Sequence, residues 1–171
     1  MIALLAALVI QEPPPPFSFR QVTAGLSQAE ASQARLVEQC QSDTLAGRPV
    51  VSCRASRVLY EGGISGFEHY GFRLSFYPGG LAAMESAILP QGFGPISSAF
   101  AQKFGEPCEV RESVLTNAFG ASFPQRTVVW CLSDGRLELS DRHPRSLDRA
   151  QVLFVSDQFL ATPTPRGTVN F

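Results

Sequence analysis

A chain of 171 residues, 44% of them hydrophobic, is long enough to bury a core as one domain or as two small lobes packed together. Its 14 Lys and Arg nearly balance 15 Asp and Glu, for a net charge of -1. No basic run is present, which argues against a nucleic-acid partner, and no basic amphipathic helix is offered to a membrane surface.

Met1 to Ile10 is an apolar run of signal-peptide length, far short of the roughly 20 residues that span a bilayer. A buried N-terminal strand or helix is the alternative. Pro13 to Pro16 cannot donate backbone hydrogen bonds and reads as a stiff polyproline spacer, so residues 1–16 are expected to be a signal-like segment with its spacer.

Ser27-Gln28-Ala29-Glu30 is a capping box, and the helix it opens is expected to run to about Cys40. Turn formers fill Gln41 to Pro49, and Val50 to Tyr60 reads as a strand. After the glycine-rich loop Glu61 to Gly66 comes a period-two alternation from His69 to Tyr77. It predicts a strand with Tyr70, Phe72, Leu74 and Phe76 on the core face and His69, Arg73, Ser75 and Tyr77 on the other. Pro78-Gly79-Gly80 turns the chain into a strand over Leu81 to Leu89.

The pattern then restarts. Pro95 suits a first helical residue, Ile96, Ala99, Phe100 and Phe104 recur at helical spacing, and Gly105 with Pro107 stops the helix. Strands are predicted from Cys108 to Thr116, Arg126 to Leu132, Arg136 to Ser140 and Gln151 to Ser156, with a hairpin turn at Ser133-Asp134-Gly135 and a loop over Asp141 to Asp148. From Gln158 onward a flexible tail is expected. Gly25 to Cys40 aligns with Pro95 to Cys108, and Gly71 to Ser75 with Gly135 to Leu139, which reads as an internal duplication.

The four cysteines fall as local pairs, Cys40 with Cys53 and Cys108 with Cys131, one pair in each half. An even set in an exported chain reads as one disulfide per half. A four-thiolate zinc site is the rival, although no C-x-x-C pair exists; free thiols in a cytosolic protein are another.

This pattern resembles the tandem helix-plus-sheet repeat of the β-lactamase inhibitory protein family, and more distantly the small outer-membrane-assembly lipoproteins. Val22-Thr23-Ala24-Gly25-Leu26-Ser27 is similar to the family's Gly-Met-Thr helix entry, and the cysteine placement to its one short disulfide per repeat. The second helix opens Gly94-Pro95-Ile96-Ser97 and departs from that form. The resemblance implies a fold over about residues 17–157 and a tendency to bind proteins through the open face of the sheet, without implying inhibition of a β-lactamase.

The expected fold is therefore α+β, two tandem helix-plus-antiparallel-sheet repeats over residues 17–89 and 90–157 with a tail over 158–171. His69 and His143 lie in no metal-ligand spacing and no Gly-x-Ser-x-Gly elbow accompanies them; Asp141 with His143 is weighed as a dyad or metal pair and read instead as an exposed loop. No cofactor or metal is expected. His69, Arg73 and Tyr77, joined by Trp130, form the candidate recognition stripe, because Tyr and Arg are enriched at hot spots. The expected function is a non-catalytic, inhibitor-like module, periplasmic or secreted, that binds an envelope or extracellular protein. A ligand or catalytic site between the repeats using His69 or His143, and a structural envelope component, are the alternatives.

Overall fold

A computed structural model describes residues 13–61, 64, 66 and 69–163. The apolar run over residues 1–10 and half of the loop over 61–66 lie outside them. The described chain is mostly β. A hairpin of β1 (Ser18–Phe19) and β2 (Val22–Thr23) is followed by the short helix α1 (Gln28–Gln33), β3 (Val37–Leu45), β4 (Arg48–Ala55) and one turn of helix, α2 (Arg57–Tyr60). Next come β5 (His69–Tyr77), β6 (Gly80–Ile88), a 3-10 turn at Pro90–Gly92 and α3 (Phe93–Phe104). Strands β7 (Glu109–Thr116), β8 (Ser122–Leu132), β9 (Gly135–Ser140) and β10 (Ala150–Ser156) then lead into α4 (Asp157–Ala161).

Strands β3 to β10 form one antiparallel sheet in the order β3-β4-β5-β6-β10-β9-β8-β7. Two meanders run inward from the edges and are joined where β10 pairs with β6, Met84 opposite Phe154 and Ile88 opposite Ala150. The expected pair of helix-plus-sheet repeats does not form, and the α+β expectation is corrected to a predominantly β protein. The reason is visible at the first helix. Arg35 takes a left-handed conformation (φ 55) and the Leu36 amide returns to the Ala31 carbonyl, ending α1 after six residues. Val37 to Cys40, expected as helix, belong to β3 instead, Val37 and Glu38 pairing with β4 and Gln39 and Cys40 forming an irregularity before Gln41.

The capping box itself is present. The Glu30 amide donates to Ser27 Oγ, while the Ser27 hydroxyl and amide both donate to Glu30 Oε2, at 2.7 and 2.9 Å. Those two bonds hold the Glu30 carboxyl below its ordinary pKa, since both favour the charged form.

One face of the sheet carries the main core. Phe72, Leu74, Phe76, Met84, Trp130, Leu137 and Phe154 project from it against Ala31, Leu36, Leu59, Ile96, Phe100 and Phe104 of the helical side. Phe17 joins them, its ring stacked on Phe154 at 3.8 Å and its amide donating to Asp134 Oδ1, so the proline segment leads into an anchored residue. Residues 158–161, expected in a flexible tail, belong to α4 on the opposite face, where Phe159 is buried against Val50 and Ala82. Arg48 fastens that helix by donating to the Leu160 and Thr162 carbonyls.

Both disulfides are present, Cys40–Cys53 and Cys108–Cys131, and no cysteine is free. They fit an oxidising, non-cytoplasmic compartment. Cys40–Cys53 ties the edge strand β3 to β4, and Cys108, the residue before β7, ties the start of the other edge strand to β8. Both edge strands are exposed along nearly their whole length and contribute little apolar burial. The bridges close loops of 13 and 23 residues, worth roughly 3 kcal/mol each in the chain-entropy model. Replacing Cys40 and Cys53 by alanine is expected to lower unfolding free energy in urea by about that amount. Amides of β3 should then exchange quickly while those of β6 and β10 stay protected.

The clean alternation of β5 hides a bulge. Tyr70 pairs with Ala87 but Arg73 with Glu85, so Gly71 and Phe72 together oppose Ser86. Gly71 sits at φ +60, where a side chain is strained even though a Cβ would meet nothing within 4 Å. Gly71→Ala should therefore destabilise the protein by about 1 kcal/mol, read as a shifted denaturant midpoint.

Candidate binding face

Among the described residues, the face opposite the main core is covered only at its two ends. At one end α4 lies over Val50, Ala82, Tyr77 and Val155. At the other, the β9–β10 connection from Asp141 to Arg149 folds back over Tyr70, Glu85 and Ala87. Between them the ladder register sets out a row across the sheet: Glu38, Arg54, Arg73, Glu85, Leu153, Glu138, Val129 and Glu109. Arg54, Arg73 and Glu109 are exposed, and Glu85, Leu153 and Glu138 half-buried.

Small side chains flank this row. Ser52 and Ser75 share a hydroxyl–hydroxyl bond of 2.8 Å between β4 and β5, and Thr127 and Ser140 one of 2.7 Å between β8 and β9. These pairs satisfy buried hydroxyls internally, so a partner laid on the face would not have to desolvate them. Arg111 bridges Glu138 at 2.6 Å.

The connecting loop is built around one histidine. His143 Nδ1 accepts from the Arg145 amide at 3.0 Å, which makes Nε2 the protonated nitrogen, and Nε2 donates to Glu85 Oε1 at 3.3 Å. The same oxygen accepts from Gln151 Nε2 at 2.7 Å. Arg142 donates to the Pro124 and Leu147 carbonyls and stacks over Phe123, tying the loop to β8. The Arg149 guanidinium lies 3.9 Å from the centre of the Tyr70 ring.

The expected recognition stripe is divided by the structure. Arg73 is exposed on the open face. Tyr77 is on that face too, but its ring packs edge-on against Phe159 and its hydroxyl reaches Gln158. His69 is not on the stripe: it is 2% exposed, on the core side, edge-on to Phe72. The bulge at Gly71 exchanges the faces of His69 and Tyr70, so Tyr70 takes the place beside Arg73. Trp130 is also core, 1% exposed, donating from its indole nitrogen to the Gly105 carbonyl.

Asp141 and His143 do not form a pair. Asp141 accepts from the Arg126 amide, and the carboxylate beside His143 is Glu85, 58 positions away in sequence. The loop expected to be exposed is packed on the sheet, with the His143 side chain 13% accessible. Glu85, Tyr70, Arg145 and Arg149 were not singled out by sequence reasoning; only the register of β6 against β5 and β10 assembles them. Among the described residues, no group of three or more His, Cys, Asp or Glu is placed to hold a metal, and no helix is long and apolar enough to cross a membrane.

On the helical side a hollow of about 430 Å³ lies between β1 and α3, lined chiefly by Phe17, Phe19, Met84, Phe100 and Phe104. Lys103 at its border donates to the Ser18 carbonyl.

His143→Ala should release the loop without unfolding the sheet. Hydrogen exchange is expected to show loss of protection at the Arg145 amide, with β9 and β10 unchanged and global stability reduced by about 1 kcal/mol. No protein-family model, curated protein or solved structure matches the chain.

Proposed function

We propose that this is an exported, periplasmic or secreted, non-catalytic module that binds another envelope or extracellular protein across the open face of its sheet. The observation that carries this reading is the asymmetry of the two faces: helices and the β1–β2 hairpin bury one side, whereas the described residues leave the other uncovered between α4 and the β9–β10 loop. A sheet that needed only to be stable would gain by covering the half-exposed Leu153. The internally satisfied hydroxyl pairs and small side chains keep that surface cheap to desolvate, and Arg73 and Arg136 supply side chains of the kind enriched at binding hot spots.

The inhibitor-like character implied by the sequence resemblance belongs to the same reading, with the sheet as the shared binding surface. The test is capture from envelope and secreted fractions using the oxidised chain, its Arg73→Glu/Arg136→Glu variant and a helical-side control, Gln102→Glu. One protein retained saturably by the wild type and the control, and lost with the open-face variant, is the expected result. Equal retention by all three, or none by any, would overturn the reading and leave a purely structural envelope component.

A further inference from the structure

Where β5, β6 and the β9–β10 loop meet on the open face there is a pocket of about 260 Å³, and its polar lining is unbalanced. Arg73, Arg145 and Arg149 border it against a single carboxylate, Glu85. Glu85 is already engaged by His143 and Gln151. Across β4 and β5, Arg54 stands directly opposite Arg73 in the ladder. Like charges in that position repel, and neither arginine makes an ion pair with any described residue. Glu38 opposes Arg54 in register on the far side but is not within ion-pair distance of it.

Two further features favour an anionic occupant. Arg149 Nη1 is buried and has no hydrogen-bond acceptor among the described residues, an energetic cost that a small turn of the guanidinium toward an oxyanion in the pocket would relieve. The same guanidinium is held over the Tyr70 ring, 3.9 Å from its centre, which restricts where its remaining donors can point. In a chain of net charge -1, three arginines around one pocket, with a fourth opposite one of them in the ladder, are a local property of this fold.

The geometry points to a carboxylate-binding site formed by Arg54, Arg73, Arg145 and Arg149, which takes an Asp or Glu side chain from an acidic segment of the partner protein. This rests on the reading of the open face as a protein-binding surface and names the chemistry that it selects. The segment lies along the row between α4 and the loop, its carboxylate entering beside Tyr70 and closing the charge left open by the arginines.

The test is fluorescence anisotropy of a labelled short oligo-glutamate peptide with the oxidised full chain, alongside oligo-glutamine and oligo-lysine peptides, and with inorganic phosphate as competitor. Oligo-glutamate is expected to bind saturably, weakening as ionic strength rises, and the other two peptides not to bind. Arg73→Gln/Arg145→Gln replaces exposed side chains only and should weaken binding by about tenfold or more, without lowering the thermal unfolding temperature. Arg73→Lys/Arg145→Lys should recover only part of the loss, because lysine lacks the planar fork. Arg111→Gln, elsewhere on the face, should leave binding intact.

Equal binding by wild type and the Arg73→Gln/Arg145→Gln variant would overturn the assignment, as would displacement of the peptide by phosphate at concentrations where phosphate alone saturates the site, which would make it a free-oxyanion site. If the captured partner is retained by the Arg73→Gln/Arg145→Gln variant but lost with Arg73→Glu/Arg136→Glu, the binding face stands and the carboxylate site falls.

Discussion

The pairing of β6 with β10 is the constraint on which the remaining structure depends. It joins strands about 70 positions apart and converts two four-stranded meanders into one sheet with only two free edges. The closure entropy for so long a connection rises only with the logarithm of its length, and the junction offsets it with buried side chains along both strands. On the core side, small opposes large, Ala150 against Ile88, with Met84 against the Phe154 ring that Phe17 covers. On the other side Ala83 and Ala87 keep the junction low, so that the open face runs across it without a step.

From this junction burial falls off toward both edges. The inner strands are nearly continuous core, whereas β3 and β7 lie beyond the helical layer and are wetted on both sides. An edge strand that buries so little is held by its ladder alone, and that is where each disulfide is placed. The bridges limit fraying at the two positions where it would otherwise begin, and where unpaired edges would be open to pairing with another chain. Compartment and architecture are thus linked, since a reducing environment would remove what holds the margins of the sheet.

The open face owes its character to what crosses it. At one end α4 is held by Arg48; at the other the β9–β10 loop is held by His143 and Arg142. Each end is fastened by polar contacts to the strands beneath it, which leaves the middle of the sheet uncovered between two fixed walls. The clustering of arginines is a product of the same arrangement: two come from neighbouring strands in register and two from the loop that folds over them.

Much of this was legible in the residues themselves, because it depends on local chemistry. The capping box at Ser27, the span of β5, the hairpin turn before β9, the helix ending at Phe104 and the partner of each cysteine all follow from short-range pattern and spacing. What tertiary structure alone decided is whatever depends on pairing across the chain. Val37 to Cys40 became strand because β4 offered a ladder and Arg35 could adopt a left-handed conformation ordinarily left to glycine. His69 moved to the core and Tyr70 to the open face because one bulged residue exchanges sides in a structure of period two. Trp130 was buried because its face of β8 meets α3, and Glu85 met His143 only when the loop closed over β6. Local sequence determines which segments can be strands; the register between distant strands determines which side each residue faces, and here that decided the composition of the candidate site.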